Sequence, residues 1–157
     1  MRSEQEVNRA VEKYADTVFR ICILHLKNKS DAEDIFQEVF LKFALNDKEF
    51  ENANHEKAWI IRVTINACKD LIKSFFRSRT ISIDELISVA DEEKEDLSYV
   101  LEAVLKLPVK YRDAIYLHYY EGYSALEIGE ILGKNENTVY SILSRGRSML
   151  KESLEGD

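Results

Sequence analysis

Residues 1–107 contain neither glycine nor proline: the single proline is Pro108 and the first of five glycines is Gly122. Turns and strand ends recruit these two residue types, glycine for positive φ and proline for a preset φ. So long a stretch without them, and without sustained apolar–polar alternation, predicts long helices. The fold class expected is all-α, in two small helical domains.

Four-residue recurrence of apolar side chains marks the first helix over residues 4–27, with Val7, Val11, Tyr14, Ala15, Val18, Phe19, Cys22 and Leu26 on one face. A polar break at 27–29 follows. Ser30 with Glu33 has the spacing of a capping box and is expected to open the second helix. Its apolar face is Ile35, Phe36, Val39, Phe40 and Phe43, leaving Asp31, Asp34, Gln37, Glu38 and Lys42 on the other side. First-turn acids complement the helix dipole, which accounts for Asp31, Glu33 and Asp34. Gln37 and Glu38 lie beyond that turn, and the patch they extend suits a basic partner.

A polar connection at 46–55 leads to a helix expected from about 56 to 77. Over 57–79 the basic residues are Lys57, Arg62, Lys69, Lys73, Arg77 and Arg79, against Asp70 alone. The whole chain carries a formal charge of −7, so this stretch is a local electrostatic footprint for a polyanion, not part of a globally basic protein. Trp59, Phe75 and Phe76 are interleaved with the charge, as stacking on unpaired bases requires. A solvated basic face over core aromatics is the alternative reading. The next stretch, 80–96, reverses sign: seven acids face Lys94 alone, the composition of a flexible linker.

The second domain is expected over 97–157. Tyr99, Val100, Ala103, Val104 and Leu107 form a helix face ended by Pro108, and a tyrosine-rich helix runs on to Gly122. Ser124 and Glu127 make a second capping box, with Leu126, Ile128, Ile131 and Leu132 as apolar positions. Gly133 supplies the exit, and Asn135 caps a last helix whose stripe is Val139, Ile142, Leu143, Met149 and Leu150. Gly146 on that stripe allows another helix to approach closely. The outline is a helix-turn-helix, whose second helix would present Glu136, Asn137, Tyr140, Ser141, Ser144 and Arg145 to the major groove, with Lys134, Arg147 and Lys151 adding charge. A packed helical hairpin with a solvated face remains the other reading of this segment.

Cys22 and Cys68 fall in apolar helical patterns and read as buried free thiols. No CxxC and no paired histidine spacing signals a metal site, and no cofactor is expected. His25, His55 and His118 read as surface or partly buried residues. A polar N-terminus and the lack of any run of about 18 apolar residues predict a cytoplasmic protein without membrane insertion.

Three segments in one order carry a resemblance: an acidic DAED-x-x-QE-x-F helix, a basic W…N…D helix, and LP…R…Y-x-x-G-x-S before the helix-turn-helix. Together they resemble a bacterial RNA polymerase sigma factor of the extracytoplasmic-function type. The resemblance implies a non-enzymatic protein of two helical domains joined by a linker. Residues 1–79 would engage core polymerase and the −10 element, and 97–157 the −35 element and the polymerase flap. It implies that Asp31, Asp34, Gln37 and Glu38 meet the β′ clamp helices. Trp59, Arg62, Asn66, Lys69, Asp70, Lys73, Arg77 and Arg79 would open and read the −10 element. Lys134, Asn137, Thr138, Tyr140, Ser141, Ser144, Arg145 and Arg147 would serve the −35 element. An anti-sigma protein is a further implied partner. Three positions depart from the family pattern: Tyr140 stands for a frequent lysine or arginine, Ile142 for a frequent arginine, and Gly129 for a small alanine. The rival function is a helix-turn-helix repressor or activator that binds duplex DNA unaided. An enzyme is less well served, because capping and docking account for the Asp31–Asp34 pair better than acid–base chemistry does.

Overall fold

The computed structural model describes residues 1–26, 28–78 and 103–155, with the backbone alone at 75–78. Every element among them is helical. They are α1 (Glu4–Leu26), α2 (Lys29–Leu45), α3 (Ala53–Ser78), α4 (Val109–Tyr119), α5 (Ala125–Leu132) and α6 (Glu136–Glu155). The chain divides into two compact units, Met1–Glu93 and Lys94–Asp157. Arg79, the acidic stretch 80–96 and the expected helix start near Leu97 lie outside the described residues.

The first unit is a three-helix arrangement in which α1 packs on both α2 and α3, and those two pack on each other. Its core joins Tyr14, Val18, Cys22, Ile35, Val39, Phe40, Phe43, Ile60 and Cys68. Both cysteines are buried and neither forms a disulfide. The Tyr14 hydroxyl donates to Glu56 Oε1 at 2.8 Å and so ties α1 to the start of α3.

Two helix starts differ from the expected ones. The cap of α2 is Asn28, whose Oδ1 accepts from the Asp31 N–H at 3.0 Å. Asparagine caps as well as serine, and capping at 28 gains an additional half-turn, which places Ser30 inside the helix. α3 begins at Ala53, three residues early, because Asn52 caps it through the His55 N–H at 2.9 Å. The connection is thereby shortened to 46–52. His25 is buried, not superficial, since it lies on the inner side of the last turn of α1.

In the second unit α4 and α5 both pack against α6, and against each other. A helical turn at 103–105 precedes Pro108, which forms the N-cap of α4. Buried Arg112 donates to Leu105 O at 3.3 Å, holding that turn to α4. Beyond α4 the chain reverses at Gly122, with φ 75°. The Ser124–Glu127 capping box forms in both directions: the Glu127 N–H donates to Ser124 Oγ at 3.2 Å, and the Ser124 N–H to Glu127 Oε1 at 3.0 Å. Removing that hydroxyl leaves the Glu127 N–H without its capping partner. Ser124→Ala is expected to cost about 1 kcal/mol, seen as a lower urea midpoint of the second unit with unchanged helicity at zero denaturant.

Candidate nucleic-acid interface and docking faces

The turn between α5 and α6 sets the geometry of the second unit's exposed face. Gly133 takes the left-handed conformation (φ 70°, ψ 38°). The Lys134 N–H donates to Gly129 O at 2.8 Å, folding the turn back over α5. A Cβ on residue 129 would meet the Lys134 carbonyl, which gives a local reason for glycine there. Asn135 then caps α6 through the Thr138 N–H at 2.7 Å.

α6 buries Val139, Ile142, Leu143 and Gly146. A Cβ at 146 would lie 3.0 Å from Ile115 Cγ1 and 3.4 Å from Tyr111 Cβ, so α4 and α6 meet closely at this glycine. The inward rotation leaves Asn137, Thr138, Tyr140, Ser141, Ser144 and Arg145 exposed on the far side, with Lys134 at the turn. Tyr140 donates from its hydroxyl to Glu136 Oε1 at 3.3 Å. Arg147 and Leu126 read differently in three dimensions. Arg147 is exposed, but its guanidinium donates to the Tyr119 hydroxyl at 3.4 Å, toward α4. Ile142, on the expected apolar stripe, is 3% exposed, so its replacement of arginine alters the core side of the helix and not the polar face. Leu126, expected on the apolar side of α5, is 54% exposed. The buried face of that eight-residue helix runs through Ala125, Ile128 and Ile131 instead.

In the first unit, α3 aligns Trp59, Arg62, Asn66, Lys69 and Lys73 at three- and four-residue steps, a single stripe. Arg62, Asn66, Asp70 and Lys73 are exposed, and Lys69 is half-buried. Arg77 continues the spacing within α3, while its side chain, with those of Phe75 and Phe76, lies outside the described residues. Trp59 heads the stripe but is half-buried, its ring 5.7 Å from that of Phe50 and 6.3 Å from that of Phe43.

On α2, Asp34, Gln37 and Glu38 are exposed, and Asp31 is half-buried in the first turn. Glu38 pairs with Lys42 at 3.2 Å. Leu41 and Leu45, each 60% exposed, prolong the line Asp34–Glu38 along the same side of the helix. Sequence reasoning passed over both leucines, though their spacing from Asp34 and Glu38 is the signal that finds them. It also left Phe50 in a polar connection, where no periodicity exists to reveal a packed ring.

Tyr123, at the entrance to α5, is buried and its hydroxyl has no hydrogen-bond partner. Burial, reinforced by the Glu121 and Glu127 carboxylates, pushes that hydroxyl up to about 12. An unfolded tyrosine ionises near 10. The folded state therefore holds this proton more tightly, and stability present below pH ~10 is lost as pH rises toward 12. Tyr123→Phe is expected to leave stability at pH 7 unchanged or slightly raised. It should also flatten the alkaline fall of the second unit's melting temperature, measured by thermal scans from pH 8 to 11.5.

Comparison with known proteins agrees with this anatomy. Residues 10–80 match the sigma-70 region 2 family, and residues 97–150 match the sigma-70 region 4 family. The ECF RNA polymerase sigma factor SigW of Bacillus subtilis is 32% identical over 161 residues, which covers 92% of this chain and 86% of that one. SigV of the same organism is 30% identical, covering 87% and 83%. Among solved structures, the sigma factor RpoE of Bartonella quintana, crystallised with the anti-sigma factor NepR, aligns with a TM-score of 0.75 at 22% identity. That alignment covers 98% of this chain and 99% of RpoE. CnrH, solved with the cytosolic domain of CnrY, aligns with a TM-score of 0.71 at 23% identity, covering 99% and 91%. At such identity these two likenesses bear on the fold, whereas the two Bacillus relatives span most of both chains at 30% identity or more. The chain belongs to the ECF RNA polymerase sigma factors.

Proposed function

We propose that the chain works as an alternative sigma factor in which each unit's exposed face has its own partner. Residues 1–79 engage core polymerase and the −10 element, 80–96 act as the connecting linker, and 97–157 engage the −35 element. Asp31, Asp34, Gln37 and Glu38 dock on the β′ clamp helices. Trp59, Arg62, Asn66, Lys69, Lys73, Arg77 and Arg79 serve strand opening at −10. Lys134, Asn137, Thr138, Tyr140, Ser141, Ser144 and Arg145 face the −35 groove. Arg147 sits at the edge of that surface and steadies α6 on Tyr119 as well as adding charge. The polymerase flap meets the second unit. Energy for opening comes from binding, and the chain itself performs no chemistry. It acts in the cytoplasm, where an anti-sigma protein holds it in reserve, as NepR accompanies the sigma factor RpoE in the solved complex. Among the described residues no helix is long and apolar enough to cross a membrane.

One observation supports the division most directly. The acidic side of α2 and the basic stripe of α3 are exposed on two different helices of a single three-helix unit. A duplex-binding repressor has no use for the first, and region 2 similarity over 10–80 is foreign to it. Run-off transcription from a genomic fragment library, with purified core polymerase, tests the reading. Discrete new starts sharing elements near −35 and −10 are expected. No new starts, with tight duplex binding by the protein alone, would favour the repressor.

Two variants separate the faces. Asp34→Lys with Glu38→Lys should weaken core binding about 100-fold or more with unchanged circular dichroism, since the exposed Glu38–Lys42 pair contributes little to stability. Unchanged affinity would remove α2 from the docking surface. Arg145→Ala should lower initiation about tenfold at promoters dependent on the −35 element and much less where the −10 element dominates. Equal losses at both would argue against groove contact.

A further inference from the structure

Arg2 joins the end of α2 to the connection 46–52, next to Trp59. Its guanidinium carbon lies 4.5 Å from the Phe43 ring centre and 5.2 Å from that of Phe50. Those two rings are nearly parallel, 5° apart, with centres separated by 6.4 Å. Arg2 Nε donates to Phe43 O at 3.1 Å, and a second guanidinium nitrogen donates to Lys48 O. The Arg2 backbone N–H donates to Ala44 O at 2.8 Å. The side chain is 13% exposed and also lies 3.5 Å from Glu6 Oε2.

These contacts join two things that would otherwise be loose. Phe43 O, which also accepts from the Asn46 N–H at 3.2 Å, and Ala44 O belong to the last turn of α2, where the helix dipole favours a cation. Lys48 O and Phe50 belong to the connection 46–52, which has no regular structure of its own. One planar fork with five donors can bond Phe43 O and Lys48 O while stacking on both rings, which an ammonium cannot do. Phe50, held in this way, packs on Trp59 at 5.7 Å and meets the edge of His55 at 5.4 Å.

We propose that Arg2 is a positioning residue for promoter opening: by pinning Phe50 it fixes the Trp59 ring at the head of the basic stripe before DNA arrives. The inference rests on the reading of α3 as the −10 face. Stacking of one base on an aromatic ring gains no more than ordering a loose side chain and its loop loses. A ring fixed in the folded protein avoids that loss. The effect of Arg2 therefore belongs to the opening step and not to polymerase docking, which uses α2's opposite side chains.

Trp59 is the chain's single tryptophan, so its fluorescence reports on this arrangement alone. In the full chain, Arg2→Ala is expected to raise acrylamide quenching of Trp59 about twofold, with Arg2→Lys intermediate and core affinity unchanged for both. In holoenzyme, on the strongest promoter recovered from the run-off library, 2-aminopurine in the −10 element should report opening slowed about tenfold by Arg2→Ala. On a template already unpaired across −10, the same variant should initiate at near the unsubstituted rate. Unchanged quenching, unchanged opening, or a loss of core affinity in step with opening would each overturn the proposal, the last by showing a general structural role. Trp59→Ala and Arg62→Ala distinguish the two levels of inference. If they slow opening and Arg2→Ala does not, the role of Arg2 fails alone; if they too leave opening unchanged, the −10 reading of α3 fails with it.

Discussion

Gly146 has no side chain, and the position of α6 depends on that. A methyl group there would press on Ile115 and Tyr111 of α4. With the two helices this close, α6 can rotate only so far before Val139, Ile142 and Leu143 leave the core. The outward direction of Asn137, Ser141, Ser144 and Arg145 is set by the same contact. The turn at Gly133 and the space at Gly129 then fix where α6 begins relative to α5. A DNA-reading face is thus the complement of a packing face, and polar side chains acquire direction from apolar ones that never meet DNA.

The first unit solves a related problem with α1. That helix packs on both α2 and α3 and takes up their apolar sides. Their remaining sides are free to differ in sign: acidic along Asp34–Glu38, basic along Arg62–Lys73. Charges on such exposed faces are screened beyond about 10 Å at ordinary ionic strength. Each face can therefore suit its own partner, a protein surface or a phosphate backbone, without cancelling the other. Where the two helices approach in sequence, Phe50 of the connection joins Phe43 and Trp59 in an aromatic cluster, with Arg2 over the Phe43 and Phe50 rings. There shape and stacking matter more than net charge.

Much of this was legible in the linear chain because helices write their burial as a period. The faces of α1, α2 and α3, the capping box at Ser124, the exit at Gly133 and the close approach at Gly146 all follow from local spacing and backbone chemistry. Legibility failed where two local solutions competed or where no period exists. Asn28 and Ser30 are both good caps, and the structure uses the earlier one. In eight residues α5 has too few turns to reveal that Leu126 faces out. Phe50 sits in a connection whose polar neighbours conceal it, and Arg2 lies forty-one residues from the carbonyl it bonds.

The sequence by itself determined the all-α class, the apolar and charged side of each long helix, and the helix-turn-helix outline. These depend on neighbours within one or two turns, so three- and four-residue spacing contains them. Only the tertiary structure decided that Leu126 faces outward, that Arg147 turns toward Tyr119, and that Trp59 packs against both Phe43 and Phe50. Each of those outcomes depends on a second element approaching to within a few ångströms. Such an approach is the joint result of several burial requirements met at once, and no short window of sequence records it.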